Sequence, residues 1–312
     1  MISFLQNKYF RKDYFRALCF LGALTIVLLL GLIIIEIVIE AMPAIHRFGW
    51  SFLTSSQWRP NRDLYGVLPM LVGTAVSSLL ALLLALPLGL AVSLFLSENF
   101  LPPLLRQMMR AIIDMLAATP SVVYGLWGIF ILVPLIREKG AIMIKYGGWI
   151  PFLHGPVYGN SLLTASLVLS LMVLPTITAI TRASLAAVPA TLREGAYALG
   201  ATRWETIFRV LLPCAAPGIV AASILALGRA MGETMAVAML IGNSQRLPLS
   251  LFSPSNTLSA LLANQFSEAD GLQINALMYA ALLLIILTLG TNILGAVILR
   301  STQKSLGGGT PR

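Results

Sequence analysis

The sequence predicts an all-α fold, a polytopic membrane bundle of six transmembrane helices, and three observations carry that reading. Apolar residues fill 58% of the 312 positions and charged residues only 11%, where soluble domains carry about 45–50% and about 25%. The charges cluster in short segments and leave long uncharged stretches between them. Lys and Arg outnumber Asp and Glu, 21 to 12, as expected when basic residues gather in loops held on one side of a membrane. A soluble chain this apolar would expose sticky surface, so the soluble enzyme, the nucleic-acid binder and the disordered chain are excluded.

The spans read off in order as 17–35, 64–97, 115–136, 146–181, 210–228 with the apolar pattern resuming over 234–241, and 271–299. A helix needs about 20 apolar residues to cross the hydrocarbon core. The first stretch follows a basic start (Lys8, Arg11, Lys12, Arg16) and suggests a cleaved signal peptide, but it runs 19 residues, beyond the usual h-region of about 7–15. It is read as a retained helix. With the N-terminus in the cytoplasm, thirteen Lys and Arg fall inside and seven outside, which places both termini on the cytoplasmic side. The expected organisation is an N-terminal segment with the first helix and a connector (1–66), a core of five helices (67–300), and a flexible tail (301–312) containing Gly307, Gly308 and Gly309.

Prolines 69, 87, 120, 134 and 175 fall within the spans. They are tolerated where neighbouring helices or cavities satisfy the freed carbonyls. Cys19 and Cys214 lie in or beside apolar runs and form no metal spacing or disulfide framework.

The stretch 188–213 between spans four and five carries the most information. Thr191 with Glu194, and Thr202 with Glu205, each have capping-box spacing, and Gly200 between them suits a left-handed helix end. The pattern predicts a short helix at 192–199, a tight turn, and a second helix at 203–212 stopped by Pro213. That second helix groups Trp204, Ile207, Phe208 and Leu211 on one face, with Arg203, Glu205 and Arg209 elsewhere. It is expected along the membrane surface or under the bundle. Two roles fit: a well-capped interfacial connector, or a docking knob whose small surface at Gly195, Ala196 and Gly200 admits a partner's backbone.

Glu194-Gly195-Ala196, three residues, Gly200, nine residues, then Val210-x-Leu212-Pro213 resembles the EAA loop of bacterial ABC-importer permeases, departing from its usual pattern at Gly195 and Val210. Residues 65–69 (YGVLP), 119–128 (TPSVVYGLWG), 174–178 (LPTIT), 228–237 (GRAMGETMAV) and Ile241-Gly242-Asn243 narrow the likeness, over about 45–300, to the permeases of phosphate importers. The resemblance implies a type I ABC-importer permease fold in a bacterial inner membrane and a transporter subunit without ATPase activity of its own. It further implies a homologous second permease (PstA-like), a cytoplasmic ATPase dimer (PstB-like) and a periplasmic phosphate-binding protein (PstS-like). The loop, with Glu194, Gly195, Ala196, Gly200 and Pro213, is then the element that docks on the ATPase. Loop 242–270 is a contact for the binding protein on the same ground alone.

Span five carries Arg229 and Glu233. If Pro217 marks its first turn, Arg229 is about 18 Å along the helix, near the middle of a core about 30 Å thick. An arginine there costs about 2.5–3.5 kcal/mol to insert and is expected to face the bundle interior and mark a substrate path. Glu233 follows at i+4 on the same face, in the weaker Arg-before-Glu order. The alternatives are a salt bridge that merely joins helices, and an oxyanion path in which the guanidinium supplies donors, Glu233 competes for it, and Thr234 adds a hydroxyl.

No GK[ST] phosphate loop, HExxH or GxSxG motif occurs, and no cofactor is implied. His46 and His154 read as outside-loop residues, Glu36, Glu40 and Asp114 as interfacial, and Trp50, Phe52 and Trp58 as interfacial anchors. Thr164, Ser166, Ser170, Thr176 and Thr178 of span four read as helix–helix contacts. A membrane-embedded enzyme would need more converging catalytic groups than Arg229 and Glu233. A self-contained channel or carrier would not need the 188–213 segment.

Overall fold

The computed structural model describes residues 2–307 apart from 99, 148–151, 154 and 249. His154 and tail residues 308–312 lie outside the described residues, as do the side chains of 2–14, 143, 147 and 302–307. Six helical segments are long and apolar enough to cross a bilayer: Phe15–Phe48, Leu68–Ser97, Ser121–Tyr146, Leu162–Ala186, Arg203–Gly232 and Gly271–Ser301.

In chain order the helices are α1 (Ile2–Phe48), α2 (Ser51–Thr54), α3 (Leu68–Ser97), α4 (Pro103–Ala118), α5 (Ser121–Trp127), α6 (Val133–Gly147), α7 (Leu162–Ala186), α8 (Ala190–Ala198), α9 (Arg203–Thr206), α10 (Leu212–Gly232), α11 (Met235–Leu240), α12 (Leu258–Gln265) and α13 (Gly271–Gly307). Helix α7 is the hub, packed by α3 on one side and α10 on another, while α13 backs α10 and α1 is outermost against α13. This order shows in burial: 72% of the residues in the most apolar stretch of α7 are buried and none of those in the most apolar stretch of α1. At one end of the bundle Phe48, Phe52, Trp58 and Tyr65 pack with Tyr279 of α13, Phe52 stacking on Tyr279 at 4.4 Å between centroids. The two tryptophans expected as interfacial anchors therefore part company: Trp58 is buried and donates to Gln265 Oε1 at 2.7 Å, and Trp50 is exposed.

The spans differ from the sequence expectation in their bounds: the first runs past residue 35 to Phe48, and the fourth, expected over 146–181, is the helix Leu162–Ala186. The third was expected at 115–136 but begins at Ser121, because Thr119 precedes Pro120 and is driven out of the helical region (φ −71°, ψ 128°). Residues 103–118 form a separate amphipathic helix, α4, and Asp114 lies on it, exposed. The fifth was expected to start near Pro217 after a surface helix stopped by Pro213. Instead one helical rod runs from Arg203 to Gly232 with both prolines inside it.

A π-turn makes that continuity possible. Over Ile207–Leu211 the ladder widens so that the Leu212 N–H reaches Ile207 O, five residues back, immediately ahead of Pro213. A second π-turn, Gly128–Leu132, stands at the same offset before Pro134, with Val133 N–H on Gly128 O. A proline inside an α-helix removes one hydrogen bond and presses its ring on the carbonyl four residues back. The wider turn reroutes the bonding where that conflict would fall.

Between α10 and α13 the chain folds back into the bundle. Leu240, Ile241, Phe252 and Leu258 are fully buried, and the irregular backbone joins the start of α7 through Ser161 N–H to Leu240 O, Leu162 N–H to Ser253 O and Leu163 N–H to Leu251 O (2.8–3.2 Å). Thr74 Oγ1 of α3 accepts from Leu258 N–H at 3.0 Å. Helix α3 allows this approach at Gly73, where a Cβ would collide with the Asn256 carbonyl. Gly73→Leu should therefore lower folded-state stability by at least about 2 kcal/mol, whereas Gly290→Ala, with open space around it, should leave it unchanged or slightly raised. Thermal unfolding of the purified protein in detergent, followed by tryptophan fluorescence, separates the two.

Candidate functional site

Arg229 occupies the last turn of α10, and the helix ends three residues later at Gly232. A cation at that end meets the negative pole of the helix, an interaction of about 0.3–1 kcal/mol. Its Nη1 donates to Thr176 Oγ1 of α7 at 3.3 Å. Thr176 is fourteen residues from the start of α7 and ten from its end, about 21 Å and about 15 Å along the axis, so the guanidinium is level with the middle of the hub helix. It is exposed on the isolated chain, with no helix among the described residues covering that face. Tyr124 of α5 is within electrostatic reach of it, and the Tyr124 hydroxyl donates to Leu116 O at 2.8 Å.

Glu233 does not continue the face of Arg229. It adopts extended backbone (φ −66°, ψ 127°) as the helix terminates, and among the described residues it forms no ion pair with Arg229. The i+4 relation expected within one helix fails because the helix ends between the two residues. The break is tied down by hydrogen bonds: Ser259 Oγ of α12 donates to Glu233 O at 2.8 Å, and Thr234 Oγ1 to Gly232 O at 3.0 Å. Thr234 and Glu233 are both half-buried beside the arginine's end of α10.

Thr176 was expected among the hydroxyls that merely join helices. Ser166 and Ser170 instead bond carbonyls of their own helix, Leu162 O and Leu167 O, while Thr176 does join two helices, by accepting from Arg229 of α10. Only the register of α7 against α10 could reveal it.

At one end of the bundle, α8 and α9 form the loop singled out in the sequence. Gly200 takes φ +81° between them, a backbone that costs other residues about 1–2 kcal/mol. The second capping box is present: Thr202 N–H donates to Glu205 Oε2 at 2.8 Å and Glu205 N–H to Thr202 Oγ1 at 3.3 Å. The first is not. Helix α8 starts earlier, behind Pro189, and Thr191 lies inside it, since proline's fixed φ already sets the entry. Ile207 and Leu211 are buried with Leu185 and Ala215. Trp204 and Phe208 stay exposed and stack outward, the indole on Phe100 at 5.2 Å and on Phe208 at 5.9 Å.

The surface of this loop is open. Gly195 and Gly200 have no atom near the position of a Cβ, Leu199 at the tip is 90% exposed, and a hollow of about 610 Å³ runs between Gly195, Ala196, Gly200 and Val210. Glu194 points away from the bundle, exposed. Pro213 is half-buried in the rod above and contributes no surface to the hollow.

Two side chains missed in the sequence anchor the loop. Arg193 Nη2 lies 3.0 Å from Glu98 Oε1, and the Glu98 carboxylate is only 5% exposed. Arg203 rests over the Phe100 ring at 3.8 Å. Both contacts bind the loop to Glu98 and Phe100 across about a hundred residues of sequence, so no local pattern announces them. Arg193→Ala should strand a buried carboxylate and cost of the order of 3 kcal/mol. Adding Glu98→Gln should recover most of that loss, and thermal unfolding of the two variants measures it.

A long helical core of this kind, with a charged helix break at mid-bundle and an open helical loop at one end, defines a membrane transport subunit, and comparison agrees. Residues 85–304 match the family described as binding-protein-dependent transport system inner membrane component, and the chain belongs to that family. It is 40% identical to the phosphate transport system permease protein PstC of Haemophilus influenzae over 97% of this chain and 98% of that one. It is 36% identical to the probable PstC of Methanocaldococcus jannaschii over 96% and 97%. Among solved structures it shares its fold with the inward-facing MetNI methionine ABC transporter (TM-score 0.55, 21% identity, 76% of this chain and 94% of that one). It also resembles a bacterial ABC transporter that imports alginate (TM-score 0.55, 18% identity, 89% and 95%).

Proposed function

We propose that this chain is the permease subunit of an ATP-driven phosphate importer, forming one half of the path and using Arg229, Thr234 and Glu233 to pass the anion. The observation that carries the reading is Arg229 itself: a guanidinium level with the middle of the hub helix, held by one neutral hydroxyl and exposed where this chain has no helix to cover it. Such a charge is costly in a membrane and belongs against a cavity or a partner. A homologous permease packed on that face, PstA-like, completes the path. Several donors on a planar fork then replace part of the water that a phosphate loses. Glu233, a few residues beyond on a separate backbone segment, competes for the guanidinium when the two approach, which lets the anion leave.

The chain supplies no nucleotide site in this scheme. Two copies of a cytoplasmic ATPase, PstB-like, drive it through the loop of Glu194, Gly195, Ala196 and Gly200. Pro213 lies in the rod that carries the motion up to Arg229, since α9, the π-turn and α10 are one continuous helix. The loop and both termini face the cytoplasm of a bacterial inner membrane, in keeping with the excess of basic residues on that side. A periplasmic phosphate-binding protein, PstS-like, delivers the ion at the opposite end, where α2 and the 242–270 loop lie. Residues 67–300 form the transport core, and α1, held chiefly by α13, stands outside it.

Two variants test the two halves of this reading. Arg229→Gln should reduce phosphate uptake by at least about a hundredfold, the scale of an interaction near 2.7 kcal/mol, with the complex still assembled; uptake near the wild-type rate would overturn the role of Arg229. Gly195→Trp has room on this chain and should leave thermal stability unchanged while abolishing ATP turnover stimulated by loaded binding protein. Normal coupling in that variant would overturn the docking role of the loop.

A further inference from the structure

A second cavity, about 740 Å³, lies beside the coupling loop, between the ends of α3 and α7, the start of α8 and one side of α4. Three guanidiniums line it: Arg110 of α4, Arg182 of α7 and Arg193 of α8. Arg193 is balanced by the buried Glu98 carboxylate. Arg110 and Arg182 form no ion pair among the described residues, which leaves two positive charges in excess around one space. Ser97 Oγ, on the same wall, is buried with no hydrogen-bond partner among the described residues, and so is Arg193 Nε. The nine-residue helix α8 begins at this wall behind Pro189 with no side-chain cap on its first N–H groups, the positive end of its dipole. Like charges gathered round a cavity repel, and unpaired buried donors cost free energy. An anion with several oxygens removes both costs at once.

We propose that this cavity is a binding site for a phosphate-type oxyanion, either the phosphodiester of an anionic lipid or free orthophosphate. Guanidiniums match the geometry of phosphate oxygens better than any other side chain. The space is roomy enough for a lipid headgroup or for an ion that keeps part of its water. Occupancy ties α4, α7 and α8 together through one ligand, and α8 is the first helix of the coupling loop, so the bound anion fixes the posture in which the loop meets its partner. The inference rests on side chains of this chain alone and not on the path at Arg229, which meets α7 at Thr176, outside the residues lining this cavity.

Ala186, exposed on the cavity wall, gives a local readout. Ala186→Cys is introduced into a Cys19→Ala, Cys214→Ala background, and the intact complex that purifies with the chain is placed in nanodiscs without nucleotide. The rate of labelling by a charged maleimide is then compared in phosphatidylcholine with chloride, in phosphatidylcholine with orthophosphate at equal ionic strength, and in phosphatidylglycerol with chloride. Slowing by orthophosphate identifies the free ion and slowing by phosphatidylglycerol the lipid. Either should reach about tenfold at ten times the dissociation constant, and Arg110→Gln with Arg182→Gln should abolish it. Labelling unaffected by both anions, protection that survives the double arginine variant, or an introduced cysteine unreactive in every lipid would each overturn the proposal. Because no transport or ATP turnover is read, failure of the uptake assay on Arg229 would leave this result standing.

Discussion

Every backbone N–H and C=O in a hydrocarbon core must find a partner inside the protein, and this requirement governs wherever the helices of this chain depart from regularity. Two prolines within spans are preceded by π-turns that reroute the ladder. The break at Glu233 is closed by hydroxyls of Ser259 and Thr234. The irregular stretch 241–257 is bonded into the start of α7 and rests on α3. Irregular backbone survives here because it is enclosed by other helices.

From that constraint follows the placement of the site. Ending α10 at Gly232 brings Arg229 into a terminal turn, where the helix dipole favours it, and releases Glu233 from the arginine's face. A continuous helix would have held the two charges at i+4 on one face. The same rod carries α9 at its other end, and the continuity through Pro213 joins the α8–α9 loop to the arginine by one helix. Buried ion pairing at Glu98 and Arg193 and the stacking of Phe100 on Trp204 make the loop part of the bundle rather than a tether.

The open surface of the loop and the bare face at Arg229 have a common meaning. Leu199 stands almost wholly exposed at an end of the molecule with no lipid to cover it, and an arginine is exposed where the chain should be driest. A single chain with both features is physically incomplete. Both are resolved when other subunits cover them, which is how a permease of a multi-subunit importer is built.

Much of this was decided by the sequence alone. The number of spans, the second capping box, the left-handed turn at Gly200 and the presence of one arginine deep in the fifth span all depend on local spacing and on the length of apolar runs, which act within a few residues. What only the tertiary structure decided depended on contacts between distant segments or on how a ladder adapts. Thr119 and Pro120 could have kinked a helix or ended it, and ended it. Pro213 and Pro217 could have stopped one, but a π-turn absorbed the first and α10 runs on through the second. Thr176 could have faced any neighbour along α7, and the register against α10 gave it to Arg229. Sequence fixes which residues a helix contains, but the face each presents, and the charge it meets there, is set by packing across the bundle.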